Sequence, residues 1–137
     1  MGRIVAIDYG KVRTGIAVTD ELQLIASGLT TVPTTELIPF LQQFAKEENV
    51  VKWVVGAPRQ MDNTPSESES LIEGFLKKLK SSFPDISVER EDERFTSKMA
   101  VQSMVAGGLS KKKRRNKALI DEISATLILQ SYLNRSN

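Results

Sequence analysis

Ile4-Val5-Ala6-Ile7-Asp8-Tyr9-Gly10-Lys11-Val12-Arg13-Thr14-Gly15-Ile16-Ala17-Val18 sets two apolar, β-branched runs on either side of a glycine-bearing connection. Residues 3–8 and 15–19 therefore predict two paired strands. Residues 25–32 predict a third, weaker strand, so the chain opens as an antiparallel meander. Asp8 closes the first strand and is followed by a turn. A carboxylate at that point is well placed to hold a divalent cation or to approach a phosphate. The same residue type also simply favours turns, and the segment by itself leaves both readings open.

Downstream of the third strand, Thr34-Thr35 predicts the cap of a helix whose apolar positions Leu37, Ile38, Leu41, Phe44 and Ala45 recur at helical spacing to about residue 49. Residues 50–56, nearly all apolar, predict a central strand covered on both faces. A polar loop over 57–65 leads to the capping box Ser66-x-x-Glu69 and a second amphipathic helix through Leu71, Ile72, Phe75, Leu76 and Leu79. Residues 86–89 alternate as a strand that runs into the charged cluster Glu91-Asp92-Glu93-Arg94. Thr96 predicts the cap of a helix over 97–106, stopped by Gly107-Gly108. A last helix is predicted over 117–134, on which Asp121, Ser124, Ala125 and Ile128 form one stripe, small enough for close packing on a sheet. The element order predicts an α/β fold in one domain, residues 1–137. Its mixed five-stranded sheet has three antiparallel strands extended by parallel crossovers, with helices on both faces.

With 137 residues the chain can bury one core without disulfides or a structural metal. It contains no cysteine and no histidine, which removes thiolate chemistry, Ser-His-Asp arrangements and the usual zinc ligand sets. Any catalysis must use carboxylates, Lys, Tyr, Ser/Thr or a metal held by oxygen. The start of the chain lacks the apolar stretch of a secretory signal, and no run reaches membrane-spanning length, so the expected location is the cytoplasm, without membrane association. The net charge is only +2, but no acidic residue lies between Glu93 and Asp121. That stretch carries Arg94, Lys98, Lys111, Lys112, Lys113, Arg114, Arg115 and Lys117.

Asp8, the Asp92-Glu93 pair and Asp121 all fall at element ends that the predicted topology can bring to one sheet edge. Crowded carboxylates repel, and bound Mg²⁺ or Mn²⁺ would reverse that cost. Singly, each acid also has an ordinary reading: Asp92 and Glu93 as solvated partners of Arg90 and Arg94, and Asp121 as a complement to a helix dipole. The basic run over 111–117 reads either as a solvated loop or as a phosphate-binding patch, and its position before the helix of Asp121 suits the second. Lys11 and Arg13, after Asp8, are further candidates for phosphate contact.

The opening D-x-G-x-x-x-x-G of Asp8, Gly10 and Gly15 is joined by Asp20, Val54-Val55-Gly56-Ala57-Pro58 with Met61-Asp62, Asp92-Glu93-Arg94-Phe95-Thr96-Ser97, and Ile120-Asp121 with Ile128-Leu129-Gln130. Together, and over nearly the whole chain, these resemble the YqgF (RuvX) family. The resemblance implies an RNase H-like fold related to Holliday junction resolvases, and a nuclease assigned to maturation of the 5′ end of pre-16S ribosomal RNA. Asp8 would then hold metal, Asp92 or Glu93 would supply the second carboxylate, and Asp121 the third. Arg94 and the basic residues Lys111, Lys112, Lys113, Arg114 and Arg115 would clamp the backbone. The expected partners are pre-rRNA or branched DNA and ribosomal precursor particles, with the chain a monomer or weak homodimer. Two rivals remain: ATP chemistry on a phosphate hairpin, against which the length argues, and a non-catalytic RNA-binding module.

Overall fold

The computed structural model describes residues 2–58, 69–93 and 117–136. Five strands, β1 (Arg3–Asp8), β2 (Arg13–Thr19), β3 (Ala26–Pro33), β4 (Val50–Ala57) and β5 (Ser87–Asp92), form one sheet in the order β3-β2-β1-β4-β5. The β1–β2 and β2–β3 pairs are antiparallel, while β1–β4 and β4–β5 are parallel. This is the mixed sheet that the sequence predicts. Helix α1 (Leu37–Glu47) crosses from β3 to β4, and α2 (Glu69–Ser82) precedes β5. Helix α3 (Lys117–Ser136) closes the described chain.

Strand alternation sorts the core into two layers. Val5, Ile7, Ile16, Trp53 and Val55 point to one face and pack with Leu37, Leu41, Ile72, Phe75 and Leu79 of α1 and α2. Ile4, Ala6, Ala17 and Val54 point to the other, against Ala125, Ile128, Leu129 and Tyr132 of α3. The small residues on the second face allow the single helix to lie close. The predicted stripe is where contact is made, with Ser124, Ala125 and Ile128 all buried.

Three expectations need correction. Thr34 caps no helix: a 3-10 turn over Thr34–Glu36 precedes α1, and neither start has a side-chain cap. The Thr34 hydroxyl is used elsewhere, donating to the Gly10 carbonyl at 2.6 Å and lying 2.9 Å from the Thr14 hydroxyl. Strand β2 begins at Arg13, two residues before the apolar run, because its ladder with β3 continues through Arg13 and Thr14. Strand β5 continues through Arg90, Glu91 and Asp92. Glu91 can be buried there because Arg135 Nε meets it at 2.7 Å and the Ser131 hydroxyl donates to it. Ser66, the helix expected over 97–106 and the basic run lie outside the described residues.

Candidate active site

Asp8 is the last residue of β1 and, by alternation, faces the α3 layer that Ile4 and Ala6 help to build. Glu93 follows β5 directly. Its N–H donates to the Ala57 carbonyl at 3.2 Å, so the pairing with β4 carries it one residue beyond the strand to the same sheet edge as Asp8. The two carboxyl groups are hydrogen-bonded to each other. Both residues keep some exposed surface, yet burial pushes both carboxyls up, Asp8 to about 7 and Glu93 to about 9. The Asp121 charge adds to the rise at Asp8, and the Asp8 charge to that at Glu93; the Arg90 charge partly offsets the latter. At neutral pH the pair therefore shares a proton, with Glu93 donating and Asp8 accepting.

Two glycines make this geometry possible. A Cβ at Gly56 of β4 would run into Glu93 Oε2 and also meet Ile128 Cδ1 at 2.8 Å, so the carboxylate occupies space that only glycine leaves open. A Cβ at Gly15, the β2 residue paired with Asp8, would strike the Asp121 carbonyl and lie 3.0 Å from the Glu122 nitrogen. The backbone of α3 thus rests directly on Gly15, which brings Asp121 over the strand pair that carries Asp8. In the sequence both glycines interrupt β-branched strands, a signal of close backbone approach beside their place in turns and motifs.

The candidates fall into groups. Asp8 and Glu93 are together, and Asp121 is close enough to act on Asp8. Asp92 is exposed, and its charge adds to the repulsion on Glu93. Arg13 Nε meets Asp121 Oδ2 at 2.6 Å, so this arginine neutralises the third acid. Lys11 is exposed in the β1–β2 connection. Arg94, Lys111, Lys112, Lys113, Arg114 and Arg115 lie outside the described residues. Arg90, considered as a partner for Asp92 or Glu93, forks instead onto Glu69 of α2 with two bonds of 2.9 Å and donates to the Gly56 carbonyl at 3.0 Å. It ties α2 to β4 beside the site, a long-range pairing with no local sequence signal.

Glu93 Oε2 is buried with no hydrogen-bond partner among the described residues. An unsatisfied, hard carboxylate oxygen beside a second carboxylate fits a small divalent cation such as Mg²⁺ or Mn²⁺. No group of three acids among the described residues is arranged to enclose an ion. Mg²⁺ commonly takes one or two carboxylates and keeps water at its other positions, so the Asp8–Glu93 pair is a sufficient donor set.

The family model described as "RuvX: Holliday junction resolvase" matches residues 2–135. A Christiangramia forsetii protein named "Putative pre-16S rRNA nuclease" is 64% identical over 133 residues, spanning 97% of this chain and 98% of that protein. A Bacteroides fragilis protein of the same name is 58% identical over 133 residues, with 97% and 96% covered. Among solved structures, T. thermophilus RuvC in complex with a Holliday junction substrate matches with a TM-score of 0.59 at 18% identity, covering 98% of this chain and 96% of that one. At that identity the likeness is one of fold, and it agrees with the RNase H-like sheet.

Proposed function

This chain belongs to the RuvX family, and on that premise we propose that it is a nuclease whose reaction centre is the Asp8–Glu93 pair, acting on precursor 16S ribosomal RNA at its 5′ end. The observation that carries the reading is two desolvated carboxyls brought together at a sheet edge, one of them with a buried, unsatisfied oxygen. The relatives' shared name supports the RNA substrate. The family description supports a second one, branched DNA.

Asp8 and Glu93 are the residues that would hold Mg²⁺ or Mn²⁺, and such an ion supplies Lewis acidity at the phosphate and lowers the pKa of water. Glu93 must first release the proton that it donates to Asp8. Asp8 is left as a carboxylate at the strand end, directed to the site by the β1–β2 pairing. With no histidine in the chain, proton acceptance falls to these carboxylates. Asp121 adds negative potential to the site, and Arg13 limits that repulsion by pairing with it. Lys11, Arg94 and the basic run over 111–115 are the proposed backbone contacts, within one domain that works as a monomer or weak dimer on precursor particles in the cytoplasm. Among the described residues no helix is long and apolar enough to cross a membrane.

The test is cleavage of precursor 16S RNA and of four-way-junction DNA with Mg²⁺ or Mn²⁺. Asp8→Asn should lose at least about a hundredfold in rate on the true substrate. Cleavage by Asp8→Asn at the wild-type rate on both would sink the scheme. A non-catalytic binder would instead hold RNA equally well in chelator and show no cleavage under any divalent ion.

A further inference from the structure

The face of the sheet opposite α3 carries a cleft of about 910 Å³ between the start of α1 and the length of α2. It begins at Tyr9, the residue after Asp8. Asp8 and Tyr9 point to opposite layers, so a strand passing over this sheet edge from the reaction centre would meet the cleft next. The Tyr9 ring stacks on Phe75 of α2, with centroids 4.8 Å apart and planes 24° from parallel. Lys77 and Lys78 also line the cleft; both are exposed, and neither is ion-paired among the described residues. Among the described residues no carboxylate lines it, while Thr35 and Ser70 add hydroxyls.

We propose that this cleft binds an unpaired segment of the nucleic-acid substrate, extending from the reaction centre over the edge of the sheet. Cationic side chains above an aromatic and apolar floor are what a single strand needs, since phosphates pair with the first and bases pack on the second. The volume lies within the roughly 300–1,000 Å³ of ordinary ligand sites and suits a nucleotide or two rather than a duplex. The described lining is cationic and without carboxylates, and the aromatic floor separates this cleft from a patch of surface lysines. The hydroxyls can also reach a ribose 2′-OH. The proposal rests on the nuclease reading for the identity of its ligand, but its binding test is independent of cleavage.

The probes are a short fluorescently labelled oligouridylate and an oligodeoxythymidylate of the same length, followed by anisotropy over a range of salt. K77E/K78E should weaken binding of one or both about tenfold and make the log–log salt slope shallower by about 1.4, roughly 0.7 for each lost phosphate contact. K46E/K80E makes the same total change in charge, with one site on α1 and one on α2, outside the cleft, and should stay within about twofold of wild type. All four lysines are exposed, so both variants should fold. Equal losses in the two variants, an unchanged salt slope in K77E/K78E, or displacement by polyglutamate as effective as by oligonucleotide would overturn the proposal. K77E/K78E should impair cleavage of a substrate with unpaired extensions more than cleavage of one without them, and an equal loss on both would overturn the proposal. If wild type proves to cleave nothing, the nuclease reading fails while the anisotropy comparison still decides the cleft.

Discussion

At the scale of residues, the site turns on how two carboxyls share one proton and on the space left for one of them. Both folded-state values lie above the ordinary 3.8 and 4.5. Groups of this kind contribute stability below their unfolded values and lose it as pH rises through the folded ones. The metal-free protein should therefore lose stability from about pH 4 through pH 9. Asp8→Asn removes one carboxylate and relieves the other, so its melting temperature should decline less over that range. The expected gain over wild type at the alkaline end is about 2 kcal/mol, allowing for screening at a partly exposed site. Parallel declines in thermal melts of the two proteins would show that the pair is not buried in this state. Gly56→Ala acts on the same carboxylate by volume. It should cut kcat at least about tenfold by displacing Glu93, at a stability cost of about 1–3 kcal/mol. Unchanged kcat would mean that Glu93 works from a different position.

At the scale of elements, α3 is fixed at both ends and spans the sheet between them. Its first turn is held to β3 by the Thr31 hydroxyl on the Ala118 carbonyl at 2.6 Å, and Gly15 receives its next turn. Its far end is held by Arg135 on Glu91, and by the Tyr132 hydroxyl, which donates to Glu89 and accepts from Lys52 at 2.7 Å. Two glycines under this helix give a paired prediction. At Gly15 an added methyl meets helix backbone, which cannot yield without shifting α3, so Gly15→Ala should destabilise by about 2–3 kcal/mol and disturb Asp121. At Gly28 the methyl meets the flexible Glu122 side chain, and Gly28→Ala should be neutral or slightly stabilising. Equal effects in chemical denaturation would refute the close approach. The stripe Asp121, Ser124, Ala125 and Ile128 made the packing face of α3 legible from spacing alone, as did the β1–β2 hairpin. Choosing Glu93 over Asp92 was not legible. It depends on where β5 ends, and that strand continues past its apolar alternation because Arg135, distant in sequence, makes burial of Glu91 possible. Arg90–Glu69 and Thr34–Gly10 escaped the sequence for the same reason: each is a long-range polar contact made by residues whose local pattern suggested something else.

At the scale of the whole molecule, the two-layer core brings to one edge three acids from the first strand, the segment after the fifth, and the final helix. That convergence opposes folding in the absence of a cation and should favour folding in its presence. A divalent ion at a hundred times its Kd stabilises the native state by about 2.7 kcal/mol, which for a chain of this size is on the order of 10 °C in Tm. Mn²⁺ should produce such a shift in wild type, larger at pH 8 than at pH 6, because protons on Asp8 and Glu93 compete with the ion. Asp8→Asn should abolish it. Asp121→Asn should retain at least half of it, since the structure pairs Asp121 with Arg13 and gives it influence over Asp8 mainly through charge. The two variants thus separate a donor from a neighbour. If Asp121→Asn abolished the shift as completely as Asp8→Asn, Asp121 would be a direct ligand, and Arg13 would have to leave it when the ion binds. Arg13→Ala would then strengthen Mn²⁺ binding by freeing Asp121, whereas a purely electrostatic Asp121 predicts only the modest gain expected from removing one nearby positive charge.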